Sequence, residues 1–170
     1  MAPHNTSNII LIGMPGAGKS TLGKLLAQSF GLEFVDTDTL LAEALKMPLQ
    51  QYIDTHGQQS FRMLEDTLVA NLHVQGCVIA TGGSVVYGKK GMANLTGSGV
   101  VVYLHAGEQE LQKRITAQPR AIVWPQGQSF QQLFAERDTL YRHYATIVLD
   151  TQTATPEQTV AQLAARFPRH

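Results

Sequence analysis

The sequence predicts an α/β fold: three layers, α/β/α, around a central five-stranded parallel sheet. Three observations predict it. Five short apolar runs alternate with helical patterns along the 170 residues. Most of those runs are continuously apolar, the pattern of strands covered on both faces. Between the first run and the first helical pattern stands Gly13-Met-Pro-Gly-Ala-Gly-Lys-Ser20, which fits G-x-x-x-x-G-K-[ST] at every fixed position.

Residues 8–13, with Ile9, Ile10, Leu11 and Ile12, form the first predicted strand. A helix over 18–30 follows and stops at Gly31, a residue suited to the left-handed turn that ends helices. The second strand is 33–36. A helix over 38–46 stops before Pro48. A longer helix over 58–74 carries Phe61, Leu64, Leu68 and Leu72 at helical spacing and ends before Gly76. The third strand is 77–81, and a helix over 89–95 leads to the fourth, 100–104. A helix over 107–116 is followed by 117–128, which has no periodicity and contains Pro119, Trp124, Pro125 and Gly127. An aperiodic stretch of that length in a compact domain reads as a mobile lid. A helix over 129–144, a fifth strand over 147–150 and a helix over 156–167 complete a single domain, 1–170.

Composition narrows the partners. Lys plus Arg and Asp plus Glu each number 13, for a formal net charge of zero, so no basic footprint for nucleic acid is present. The N-terminal residues lack a basic and an apolar signal region, and no apolar stretch reaches the ~20 residues of a membrane helix. A cytoplasmic location is expected. Cys77 is the one cysteine and reads as a buried small hydrophobe. The absence of heptads and of excess charge makes a monomer the default.

The glycine-rich motif carries the first chemistry. Its glycines let the backbone curl with N–H groups facing a polyphosphate, and the following helix adds the partial positive charge of its N-terminus. Gly13, Gly16, Ala17, Gly18, Lys19, Ser20 and Thr21 form the expected ATP-binding set. Lys19 reaches the β- and γ-phosphates, and the Ser20 hydroxyl ligates Mg²⁺. The expected architecture is therefore that of a phosphate-loop, nucleoside-kinase-like domain. A structural glycine turn would account for neither Lys19 nor Ser20.

In parallel sheets the chemistry collects at the carboxyl ends of strands, so the loops at Gly13, at Asp36-Thr-Asp38 and at Thr81-Gly-Gly83 should share one crevice. Asp36 and Asp38 stand at the end of the strand expected nearest the phosphate loop. Asp36 suits Mg²⁺, held through water. Asp38 suits the proton of an acceptor hydroxyl, and equally suits an N-cap for the helix that starts there. On spacing alone Arg62 is a surface partner of Glu65 or Asp66. Arg120 in the lid is placed to meet charge spreading over transferring phosphoryl oxygens, while Arg137 is ambiguous by itself. Gly82 and Gly83 read as a plain turn or as bare backbone beneath a substrate. None of the six histidines shows metal-ligand spacing.

Taken in chain order, these residues resemble the shikimate kinase family over almost the whole chain. Gly13–Ser20 looks like its phosphate loop, and Phe34-Val-Asp-Thr-Asp38 resembles its acidic strand end, whose second acid is catalytic. Phe61-Arg-Met-Leu-Glu65 is similar to F-R-x-x-E, whose arginine grips the substrate carboxylate and whose glutamate orients that arginine. Ala80-Thr-Gly-Gly83 resembles the glycine turn beneath the substrate ring. The segment from Arg137 through Leu140 and Tyr141 to Ala145 looks like R-x-x-L-Y-x-x-x-A, whose arginine is the second carboxylate grip. Arg114 matches a position near the adenine. Four features depart from the family pattern. Ser84 replaces a third glycine, Arg120-Ala-Ile122 replaces R-P-L, Val123-Trp-Pro-Gln-Gly127 is unlike the common lid, and Gln58 stands where many members carry an acid.

The resemblance implies an ATP- and Mg²⁺-dependent kinase acting on a hydroxyl of a small hydroxy-carboxylate, shikimate first. Asp38, Lys19 and Arg120 are the catalytic set; Asp38, Arg62, Gly82, Gly83 and Arg137 hold the acceptor; Ser20 and Asp36 hold the metal. The alternatives are another polyol or sugar acid such as gluconate, a nucleoside monophosphate kinase, or a nucleotide-binding domain without turnover.

Overall fold

A computed structural model describes residues 7–118 and 121–167. Among them five strands form one parallel sheet: β1 (Asn8–Ile12), β2 (Glu33–Asp36), β3 (Cys77–Ala80), β4 (Gly99–His105) and β5 (Ile147–Asp150). The order across the sheet is β2-β3-β1-β4-β5. Every residue of β1 and β3 is buried, as continuous apolar runs require when both faces are covered. Ile9 pairs with Val78 on one side of β1 and with Val100 on the other.

The helices are α1 (Lys19–Phe30), α2 (Thr37–Leu45), α3 (Leu49–His56), α4 (Gln58–Ala70), α5 (Lys89–Ser98), α6 (Glu108–Ala117), α7 (Phe130–Tyr144) and α8 (Pro156–Arg166). Gly31 caps α1 in the left-handed conformation at φ 66°, as its position suggests. The α7 and α8 N-termini carry reciprocal capping boxes, Ser129 with Gln132 and Thr155 with Gln158. One glycine inside α1 matters to the site. A Cβ on Gly23 would stand 2.5 Å from the Phe34 ring, so its absence lets α1 lie close on β2.

Several sequence expectations are corrected. The neighbour of β1 is β3, not β2, which stands one strand further out. The helix expected over 38–46 begins at Thr37, because Asp36 caps it: Asp36 Oδ1 accepts from the backbone N–H of Asp38 at 3.0 Å and of Thr39 at 3.3 Å. Asp38 is thus within the first turn, and its reading as a cap fails. Helix α3 was not expected. Pro48 occupies its N-cap, and Leu49, Tyr52 and Ile53 stand at the i, i+3, i+4 spacing that marks it. Ile53 is buried with Leu41, Phe61 and Val123 in a small second core under the aperiodic segment. Helix α4 stops at Ala70 rather than 74, where the Asn71 side chain donates to Thr67 O and Asn94 takes up the Val69 and Leu72 carbonyls. A 3-10 turn, Val85–Tyr87, follows the glycine pair, also unread in the sequence.

Candidate active site

The phosphate loop is built by close approach. Gly13, at φ 150°, leaves β1 so near β4 that a Cβ there would lie 2.7 Å from the Leu104 carbonyl oxygen. Gly18 is the N-cap of α1 at φ 90° and offers no side chain to the first-turn amides, which suits them to an anion. Lys19 is 8% exposed. Its ammonium donates to the carbonyl oxygens of Gly13 and Met14, both at 2.8 Å, and so lies across the loop. Arg114 on α6 flanks the same loop: Nε donates to Glu110 Oε1 at 2.9 Å and an Nη to the Gly16 carbonyl at 3.3 Å.

The predicted metal pair comes together. Ser20 in the first turn of α1 donates from Oγ to Asp36 Oδ2 at 2.6 Å, although β3 separates β2 from β1. The close seating of α1 on β2 at Gly23 and Phe34 makes this reach possible. Since Oδ1 of Asp36 caps α2, the carboxylate is fixed by two elements at once.

Asp38 faces the crevice. A hollow of about 190 Å³ on one side of it is lined by Gly16, Gly18, Lys19, Ser20 and Thr81, with Pro15, Gly83 and Ala121 at the border. A smaller one of about 20 Å³ on the other side is lined by Phe61, Glu65, Gly82, Ser84, Val123 and Arg137 among others. The two hollows share Asp38, so the carboxylate stands between the phosphate-binding loop and a separate polar recess. Burial pushes its carboxyl above the usual 3.8, Lys19 pulls it down, and Asp36 pushes it up again.

The recess is unusually rich in charge for its burial. Arg137 on α7 is 0% exposed. One of its Nη groups donates to the Val123 carbonyl, while Nε and the other Nη make no well-formed hydrogen bond, with the Tyr87 and Tyr141 hydroxyls as their neighbours. Arg62 Nε and Glu65 Oε1 are likewise buried and unpartnered. Donors left unpaired on buried guanidinium groups cost a folded protein free energy unless a ligand takes them up, and two planar forks suit a carboxylate. Arg62 forms no ion pair with Glu65 or Asp66 among the described residues, so the surface-pair reading fails; Asp66 instead accepts from Gly91 N at 2.6 Å. Glu65 accepts from the Ser84 hydroxyl, and burial lifts its carboxyl from 4.5 to about 7 against that hydrogen bond, with Asp38 adding to the rise.

Gly82 and Gly83 line the recess. A Cβ on Gly83 would press on the Pro15 ring at 2.7 Å. The middle of the aperiodic segment covers this side: Ala121, Ile122 and Val123 line the recess, and the Gln58 side chain donates to the Trp124 carbonyl. At about 20 Å³ the recess is narrow in this arrangement. Thr21 is exposed on the first turn of α1. Arg120 lies outside the described residues. Sequence reasoning missed three residues of the site: Tyr87, whose ring lies beside both Arg62 and Arg137; Glu136, which accepts from the Tyr87 hydroxyl; and Tyr141, whose hydroxyl donates to the Gly83 carbonyl. A lone aromatic after a glycine turn carries no spacing signal, whereas the R-x-x-L-Y pattern does contain Tyr141.

Comparison with known proteins gives one consistent result. Residues 15–167 match the family model described as shikimate kinase. A shikimate kinase of Francisella tularensis subsp. novicida is 37% identical over 164 residues, which cover 94% of this chain and 93% of that relative. One from Francisella philomiragia is also 37% identical over 164 residues. Among solved structures, a shikimate kinase from Acinetobacter baumannii in complex with shikimate superposes with a TM-score of 0.80 at 25% identity, covering 94% of this chain and 92% of that one. Shikimate kinase from Aquifex aeolicus superposes at 0.76, also at 25% identity and with 94% of each chain covered.

Proposed function

The chain belongs to the shikimate kinase family, and from that membership we propose that it transfers the γ-phosphoryl group of ATP to a hydroxyl of shikimate, giving shikimate 3-phosphate and ADP. The observation that carries the reading is the position of Asp38 between a phosphate-binding loop and a recess with unpaired guanidinium donors. A sugar acid would also carry a carboxylate. A nucleoside monophosphate would need a base pocket and a second phosphate site, and neither is apparent in the recess lining.

The parts divide the work as follows. The loop amides and Lys19 bind the β- and γ-phosphates, and Thr21 and Arg114 border the nucleotide. Lys19 gives up its two loop carbonyls to do so, a short swing for a long side chain. Arg62 and Arg137 hold the acceptor's carboxylate over Gly82 and Gly83, which fixes the distance from its hydroxyl to Asp38. Asp38 accepts the hydroxyl proton as that oxygen attacks phosphorus and the bond to the ADP oxygen breaks. The carboxyl raised by burial is a better base than an ordinary one, and the Lys19 ammonium beside it favours its charged form. Ser20 and Asp36, hard oxygen donors already in contact, suit Mg²⁺, with Asp36 acting through water. Bound there, magnesium would neutralise charge between the β- and γ-phosphates. Arg120 is assigned the lid cation that completes this stabilisation. Each residue named belongs to one chain, so a monomer in a single domain, 1–170, suffices. ATP as donor places the work in the cytoplasm; among the described residues no helix is long and apolar enough to cross a membrane.

Coupled ADP-release assays with shikimate, gluconate, AMP, CMP and UMP test the reading. Turnover is expected with shikimate alone. ADP release on another acceptor and none on millimolar shikimate would replace it, and tight ATP binding without any transfer would make the chain a regulatory nucleotide-binding domain.

A further inference from the structure

Arg62 makes no ion pair with the glutamate three residues along its helix, although the two charges act on each other within the recess. Glu65 is engaged by the Ser84 hydroxyl, and among the described residues Arg62 has no ion pair. A long guanidinium side chain left to itself samples many rotamers, and ordering it on ligand binding lowers affinity. The group that does touch Arg62 is Tyr87. The guanidinium carbon of Arg62 lies 3.9 Å from the Tyr87 ring centroid, and that of Arg137 lies 5.5 Å from it. The ring is fixed at its far end, because the Tyr87 hydroxyl donates to Glu136 Oε1. Glu136 Oε2 in turn accepts from Gln128 Nε2, at 3.1 Å, where the aperiodic segment ends.

We propose that Tyr87 is the positioning residue for Arg62. Its ring, stacked under the guanidinium and tied through its hydroxyl to Glu136, presents the arginine's donors to the acceptor carboxylate. Cation–π attraction strengthens where water is excluded, as in this half-buried recess. The same anchor joins α4, the 3-10 turn, the middle of α7 and the segment that covers the recess. Acceptor grip and cover are therefore coupled through one ring. The assignment rests on the reading of the acceptor as a carboxylate.

Steady-state kinetics on wild type, Y87L, Y87F and E136A tests it. Y87L fills similar space without a π face and is expected to raise KM for shikimate about tenfold. KM for ATP should stay within twofold of wild type. Y87F keeps the ring and loses the tie, so most of the acceptor affinity should return, and E136A should match Y87F. Y87F/E136A should be no worse than either single variant. A Y87L enzyme with unchanged acceptor KM overturns the assignment, as does an equal rise for ATP or a Y87F enzyme as impaired as Y87L. Should Y87L fail to fold, the comparison of Y87F with E136A and their double variant still decides, since additive effects sever the tie. Wild-type protein that releases no ADP on shikimate overturns the acceptor reading itself and this assignment with it, a result distinct from active wild type with an indifferent Y87L.

Discussion

Glu65 and Asp38 converge on one glycine: a Cβ on Gly82 would lie 2.5 Å from Glu65 Oε1 and 2.7 Å from Asp38 Oδ1. The backbone at Gly82 is not in the left-handed region, so space and not conformational freedom keeps the position bare. The Asp38 and Glu65 carboxylates both occupy the space that a side chain at Gly82 would need. G82A should therefore fold and bind ATP yet misplace Asp38, lowering kcat by about 10²-fold, the scale of an ångström's displacement at a reacting group. Circular dichroism and ATP calorimetry alongside kcat check this. Wild-type kcat would mean that the two carboxylates yield without consequence.

Asp38 itself predicts a kinetic and a pH signature. D38N should keep ATP affinity and lose about 10²–10⁴ in kcat, the usual worth of a general base. In wild type only the ionised carboxylate accepts the proton, so kcat/KM should rise with pH as the group deprotonates. Burial lifts that carboxyl above 3.8, which moves the limb to higher pH than for an exposed aspartate. A profile flat down to the ordinary carboxylate range would return Asp38 to a structural role.

Glu65 makes stability depend on pH. Its folded-state carboxyl titrates near 7 against 4.5 when exposed. Between those values the folded protein holds a proton that the unfolded chain has released. Stability is therefore lost as pH rises from 4.5 through 7, by about 3 kcal/mol in total, and the loss is complete above 7. Urea midpoints for the ligand-free protein should fall over that window, and E65Q should flatten the trend. A wild-type midpoint that climbs from pH 5 to 8 would contradict a burial cost for this carboxylate that outweighs Ser84 and the two arginines.

The strands and seven of the eight helices among the described residues are legible because period and punctuation agree in them, with Gly31 and Pro48 marking helix ends; the stop of α4 at Ala70 is not, since the next punctuation in the sequence is Gly76. Helix α3 is not legible because Pro48, which reads as the end of α2, also occupies the start of α3. The order of β2 and β3 was not legible, since sequence proximity to the phosphate loop says nothing of pairing. Within the site, Lys19, Ser20, Asp36 and Asp38 announced themselves by spacing. Arg62 and Arg137 did not, being 75 positions apart on different helices; only motif order across the chain joined them. Tyr87 and Glu136 left no trace, because their meeting is a product of α4, α7 and the 3-10 turn packing together.

Asp36 carries two duties that substitution can separate. One oxygen caps α2 and the other receives the Ser20 hydroxyl. D36N keeps an acceptor for the cap and removes the charge that a divalent cation needs. It should unfold within a degree or two of wild type yet require far more magnesium, with activity down about tenfold or more at limiting metal. D36A removes the cap as well, at a cost of about 1 kcal/mol. That corresponds to a fall of about 2–4 °C in Tm for a domain of this size. S20A spares the cap, so it should share the magnesium phenotype of D36N without the thermal loss of D36A. Magnesium titrations of activity beside thermal melts of the three variants read the two duties apart. Equal thermal losses in D36N and D36A would show that the charge, not the cap geometry, holds the first turn of α2.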